Sequence, residues 1–308
     1  MPNQYQGLYT QRLLSLPILQ TLDDLATKTR LPKTLLVKYI HDNERYYNSS
    51  YIKKKSKDLR TISNPNRELK AIQRWILRNV LSSLSPSPYA NGFIPKKSII
   101  DNARPHRGNQ YILSIDLKNF FTTVKASYVF TVFKSVGYAS KMAYYLTSIC
   151  TLNGVLPQGA PTSPMLSNLV CLRMDERIGK YCENKALTYS RYADDITISG
   201  NKLAVIKKAW IIIRKIISEE NFTVNKKKEM LSGPQSQRKV TGVIVTPEIG
   251  IGREKYNYFR KRIFILVKKN GDNMSNVVNG ILAHVKSIDL GKYKKLNDYY
   301  EQLINKTI

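Results

Sequence analysis

The chain is poor in the residues that build disulfide, zinc and membrane proteins. Its three cysteines, Cys150, Cys171 and Cys182, are odd in number and never fall at CxxC spacing, so neither a disulfide framework nor a zinc knuckle is expected, and a reducing cytoplasm fits best. The three histidines, His41, His106 and His284, form no HxxxH or HNH-like cluster, which argues against a nuclease domain. No apolar run approaches the roughly eighteen residues that span a bilayer, and the opening MPNQYQGLYTQRLL lacks the unbroken apolar core of a signal peptide. Acidic residues are also scarce. Against 22 Asp and Glu stand 50 Lys and Arg, a net charge of +28 over 308 residues. Such a surplus predicts a polyanionic partner bound in a salt-sensitive way, for which nucleic acid fits better than a membrane surface.

What is present reads as an α+β chain divided into subdomains. Apolar positions at helical spacing over 12–45, interrupted by Pro17 and Pro32, predict two or three short helices as an N-terminal cap. YIKKKSKDLRTISNP (51–65) has the composition of a basic hairpin. A helix is expected over 67–84, apolar at Leu69, Ile72, Ile76, Val80 and Leu84, with Lys70, Arg74 and Arg78 off that side. YILSID (111–116) reads as a buried strand that ends in an acid. Helices follow over about 126–136 and 139–151. After the LPQGAPTSP loop, Ser163 and Pro164 read as the cap and first turn of a helix through about residue 180. YSRYADDITIS (189–199) predicts a tight hairpin turning at Ala193-Asp194-Asp195, followed by a helix over 202–219. Short strands are expected at 221–225, 229–232 and 239–246. The tail from Arg253 holds twelve Lys or Arg, five Asp or Glu and interleaved aromatics, a basic helical module.

Asp116 at a strand end and Asp194-Asp195 in a hairpin turn place three carboxylates on elements that can lie side by side. Like charges that close raise one another's pKa unless a cation neutralises them. Oxygen-only ligands favour Mg²⁺ or Mn²⁺, and a pair of such ions serves in-line phosphoryl transfer. Taken alone, an Asp-Asp pair in a turn is ordinarily a solvated turn.

The ordered set is more specific than its parts. SIDLKNFF (114–121), LPQGAPTSPMLSN (156–168), RYADD (191–195) and NKKKEMLSG (225–233) resemble, in order, four motifs of the reverse transcriptases, and RTISNPNRELKAIQ (60–73) resembles their fingers motif. Asn102-Ala103-Arg104-Pro105-His106 and Val240-Thr241-Gly242 are similar to the NAxxH and VTG patterns of bacterial retron reverse transcriptases, at the expected places on either side of the palm.

The resemblance implies a right-hand polymerase: an N-terminal helical extension over 1–50, fingers with the NAxxH region over 51–110, a palm over 111–246 with helices inserted at about 126–152, and a basic helical thumb over 247–308. It implies that Asp116, Asp194 and Asp195, with the Leu117 carbonyl, hold two Mg²⁺ or Mn²⁺ ions and that Lys228 protonates pyrophosphate. Phe121 would exclude a 2′-OH, while Phe120 would be core, adjacent strand residues pointing to opposite faces. Gln158 and Gly159 would meet the incoming nucleotide, Gly159 by letting backbone approach it, and Arg60 and Lys70 would hold its triphosphate. RNA recognition would fall to Asn102, His106, Val240, Thr241, Gly242, Arg253, Lys255, Tyr256, Arg260, Lys261 and Arg262. Retron-like function further implies a cognate structured noncoding RNA as template and primer, dNTPs, a branched RNA–DNA product, host RNase H (no RNase H-like acidic set follows the palm), an effector protein and a role in antiphage defence. A non-retron bacterial reverse transcriptase and a catalytically silent RNA-binding scaffold are the alternatives.

Overall fold

The computed structural model describes residues 4–53, 59–270 and 275–305. In chain order its elements are helices α1 (Gln4–Leu13), α2 (Leu22–Thr29) and α3 (Lys33–His41); strands β1 (Tyr47–Lys53) and β2 (Leu59–Pro65); helices α4 (Arg67–Asn79) and α5 (Ile99–Ala103); strand β3 (Tyr111–Asp116); helices α6 (Phe120–Thr123), α7 (Ala126–Ser135), α8 (Ser140–Cys150), α9 (Ser163–Val170) and α10 (Leu172–Glu183); strands β4 (Thr188–Tyr192) and β5 (Asp195–Gly200); helix α11 (Leu203–Glu219); strands β6 (Met230–Ser232), β7 (Lys239–Val240) and β8 (Val243–Ile244); and helices α12 (Arg253–Asn270), α13 (Ser275–Ile288) and α14 (Leu290–Asn305). Among the described residues no helix is long and apolar enough to cross a membrane, and all three cysteines are buried and outside any disulfide.

Two compact units make up the chain. One comprises residues 1–94, 117–178 and 213–225; the other comprises 95–116, 179–212 and 226–308. In the first, β1 and β2 pair antiparallel from Tyr47 opposite Pro65 to Lys53 opposite Leu59. Residues 54–58, the most lysine-rich part of the expected hairpin, lie outside the described residues. Asn66 caps α4 by accepting from the Leu69 amide at 2.9 Å, satisfying a donor that a helix start leaves open. Leu69, Ile72 and Ile76 are then buried one turn apart, the stripe expected of an amphipathic helix. Buried Gln73 on the same helix donates to Tyr47 Oη and to the Ile149 carbonyl, both at 2.8 Å, and so ties α4 to β1 and α8.

The second unit is built on an antiparallel sheet of order β4-β5-β3-β6. Its central strand β3 follows the predicted YILSID run from end to end and pairs with β5 from Tyr111 opposite Gly200 to Asp116 opposite Asp195. Beside the sheet, Val240, Val243, Val245 and Ile251 share one apolar cluster with Phe259, Ile263, Val285 and Leu296 of the C-terminal helices, so the basic tail is packed onto a core along one face.

Four local expectations differ from the structure. The predicted strand 239–246 is a miniature hairpin, because Thr241 (φ 47°) and Gly242 (φ 77°) both take the left-handed conformation that turns the chain between β7 and β8. The stretch 221–225 forms only a single bridge, Val224 to Leu117. The helix expected over 163–180 divides at Cys171 into α9 and α10, and its cap position is Thr162; Ser163 is already helical and its hydroxyl donates to the Pro157 carbonyl. The helix expected through 84 gives way after Asn79 to a short 3₁₀ turn over Leu81–Ser83.

Candidate active site

Three carboxylates converge at one end of the sheet. Asp116 closes β3, and its register partner Asp195 opens β5. Ala193 and Asp194 form the two-residue turn, with Ala193 at φ 58°. The turn is anchored from below: fully buried Arg191 donates to the Ala193 carbonyl at 3.1 Å. Asp195 keeps an exposed edge, yet loss of hydration, then the charges of Asp194 and Asp116, push its carboxyl up to about 6 against the opposing pull of Lys228. Lys228 lies with its Nζ 2.7 Å from Asp116 Oδ2, and that hydrogen bond holds the ammonium pKa above its ordinary value.

Among the described residues, no three His, Cys, Asp or Glu side chains form a ready-made metal cage. The donor set still suits magnesium, which binds through one or two carboxylates and takes its remaining oxygens from water and substrate phosphate. The neighbouring charges that add to desolvation in lifting Asp195, and that Lys228 opposes, are the charges a divalent cation would neutralise. Of the three consecutive lysines 226–228, the structure singles out Lys228 by its contact with Asp116.

The remaining candidates divide between the units. In the first, buried Leu117 bridges Val224. Phe120 is buried and stacks on Phe222 at 6.0 Å, whereas half-buried Phe121 meets Phe93 at 5.9 Å. Phe120 is core as expected, but α6 is a helical turn and not a strand, and the two rings do not point to opposite faces: they meet edge-on at 5.4 Å. Gln158 accepts from the Ser63 amide through its carbonyl at 2.7 Å. At Gly159 (φ 129°) a Cβ would stand 2.6 Å from the Ser63 carbonyl oxygen, so a close approach to β2 requires glycine here. Arg60 is exposed on β2, and Lys70 is half-buried on α4.

In the second unit, two residues expected to touch RNA cannot do so as they stand. Asn102 and His106 are fully buried. Asn102 Nδ2 points at Thr241 Oγ1 at 3.5 Å, and His106 places Nδ1 2.7 Å from Ser199 Oγ and Nε2 2.7 Å from Ser190 Oγ. Burial pushes the imidazole down to about 4, leaving it neutral. Val240 is core, Thr241 is half-buried and Gly242 is exposed. On α12, Arg253, Arg260, Lys261 and Arg262 are exposed; Lys255 and Tyr256 are half-buried, and Tyr256 packs on the apolar cluster. The Arg260 guanidinium lies 4.4 Å from the Tyr299 ring centre. Sequence reasoning missed Ser190, Ser199 and Phe93. Small hydroxyl residues among the apolar positions of β4 and β5 were the available sign.

Residues 52–245 match the family described as reverse transcriptase (RNA-dependent DNA polymerase). The chain is 40% identical over 306 residues to the Retron Ec86 reverse transcriptase of Escherichia coli, covering 98% of this chain and 95% of that protein. It is 32% identical to the Retron Mx65 reverse transcriptase of Myxococcus xanthus (91% and 71% covered) and 32% identical to the Retron Ec73 reverse transcriptase of Escherichia coli (82% and 86% covered).

Proposed function

The chain belongs to the reverse transcriptases, in their retron branch, and from that premise we propose that it copies part of a cognate structured noncoding RNA into short single-stranded DNA, primed from the 2′-OH of a guanosine in the same RNA. The observation that carries this reading is Asp116 facing Asp195 across the β3–β5 register with Lys228 on Asp116, in a chain whose likeness to a retron enzyme runs almost end to end.

Asp116, Asp194 and Asp195, with the Leu117 carbonyl, are the residues that would hold two divalent ions, Mg²⁺ or Mn²⁺. When bound, such ions supply activation of a primer hydroxyl and stabilisation of the departing pyrophosphate. Lys228, already hydrogen-bonded to Asp116, is the proton donor to that pyrophosphate. Phe121 sets the sugar preference by filling the space a 2′-OH would need. Gln158 and Gly159 border the nucleotide, and Arg60 and Lys70 meet its triphosphate through charge-assisted hydrogen bonds. Arg253, Lys255, Arg260, Lys261 and Arg262 grip RNA phosphates, with Tyr256, Thr241 and Gly242 beside them.

In architectural terms, 1–50 is a helical extension, 51–110 the fingers, 111–246 the palm and 247–308 the thumb. Host RNase H trims the RNA template, and the product works with an effector protein in defence against phage and is made in the bacterial cytoplasm, the setting that three cysteines outside any disulfide favour. The test is expression with the neighbouring noncoding DNA, followed by sequencing of the copurifying nucleic acid. A discrete short DNA joined to RNA until debranched, and lost in Asp194→Ala, is expected; bound RNA without such DNA would overturn the reading.

A further inference from the structure

The Asn102–His106 segment lies outside the strands that carry the carboxylates, in α5 and the 3₁₀ turn after it. Here the Asn102 and His106 side chains are completely enclosed, while Arg104 between them is exposed. The imidazole joins the strands on either side of the YADD turn: Nε2 reaches Ser190 on β4 and Nδ1 reaches Ser199 on β5, each at 2.7 Å. These serines are not partners in the β-ladder, where Ser190 faces Thr197 and Ser199 faces Thr188. The ring therefore adds a diagonal tie that the backbone pairing does not supply.

The hydrogen bonds run consistently in one direction. Asn109 Nδ2 donates to Ser199 Oγ at 2.6 Å, leaving the Ser199 hydroxyl proton for His106 Nδ1. The Nε2 proton then goes to Ser190 Oγ, whose own proton points to the Asn102 carbonyl at 3.5 Å. A neutral imidazole, with one donor and one acceptor nitrogen, is the side chain that completes this relay. A one-residue slip between β4 and β5 would send every side chain to the opposite face and carry the Asp194-Asp195 corner away from Asp116.

We propose that His106 is a positioning residue for DNA synthesis: clamped between Ser190 and Ser199, it holds β4 and β5 in the register that presents Asp194 and Asp195 to Asp116. The inference rests on the reading of those three carboxylates as catalytic. It makes the buried His106 of the NAxxH segment an internal brace of the hairpin, and not a contact for RNA.

The test uses the full chain and a poly(rA)/oligo(dT) primer–template with dTTP, together with recovery of the RNA that copurifies. Displacing reacting groups by a fraction of an ångström to an ångström costs about ten- to a hundredfold in rate. His106→Gln and Ser199→Ala are expected to lower kcat by that order while KM for dTTP, Kd for the primer–template and RNA recovery stay within about twofold. The double variant is expected to be no slower than His106→Gln, because both changes cut one tie. Loss of RNA recovery with kcat intact would overturn the proposal, as would additive effects or a lowered Tm with kcat per folded molecule unchanged. If His106→Gln does not fold, Ser190→Ala and Ser199→Ala carry the same comparison. Asp194→Ala runs beside them: its retaining activity would sink the carboxylate reading itself, whatever the His106 variants do.

Discussion

Lys228 is tied to Asp116 at 2.7 Å while keeping an exposed side chain, so it can swing between the carboxylate and a leaving group. Neutralising it should slow nucleotide incorporation by about a hundredfold, the range of a lost general acid, whereas Lys226→Gln and Lys227→Gln should change it little; steady-state kinetics on a primed template makes the comparison. His106 supports a second expectation. Its folded pKa, about 4, lies below the 6.5 of an unperturbed histidine, so the unfolded chain takes up the extra proton. Stability is complete above about pH 6.5 and falls as the pH drops toward 4, by about 2 kcal/mol at pH 5. Asp195, raised to about 6 in the fold, gains stability over the same interval and offsets part of this loss, so the measure is the difference between wild type and His106→Gln. Denaturant titrations at pH 7.5 and 5 should show the variant losing less stability on acidification, by about that amount. Nothing in an isolated histidine announces burial, which is why His106 read from the sequence as an RNA contact. The three aspartates were legible because strand-type flanks and a turn fixed their places without any tertiary information.

At the scale of elements, two glycines at positive φ separate conformational from steric demand. Gly242 turns the β7–β8 hairpin with only the Lys255 Nζ at 4.0 Å from a hypothetical Cβ, whereas Gly159 would drive its Cβ into the Ser63 carbonyl oxygen. Gly242→Ala should therefore cost about 1 kcal/mol, and Gly159→Ala roughly 3 kcal/mol, since backbone on both sides must move; thermal unfolding of the two variants checks the order. The same hairpin shows where the sequence stopped being readable. Val-Thr-Gly-Val has strand composition, and it is the left-handed conformation of the β-branched Thr241 together with that of Gly242 that makes it a turn. Likewise no glycine or proline marks the division of the helix at Cys171. By contrast β3 was legible to the residue, its apolar run being bounded by a polar turn before Tyr111 and an acid at 116.

Across the whole molecule, a net charge of +28 makes long-range attraction to nucleic acid unavoidable. If six or more phosphates are neutralised, RNA affinity should weaken roughly a thousandfold between about 50 and 200 mM salt, a dependence that filter binding or anisotropy would measure. A flatter response would mean that apolar contact carries the complex. The three cysteines give this large basic chain a built-in clock. Cys150 and Cys171 are buried in the first unit and Cys182 in the second, and burial pushes the Cys150 and Cys182 thiols up to about 12. A thiol reagent can react only when the surrounding structure opens. Labelling each position in turn, with the other two replaced by serine or alanine, would thus time the opening of each half separately and reveal whether they come apart as one cooperative body or as two.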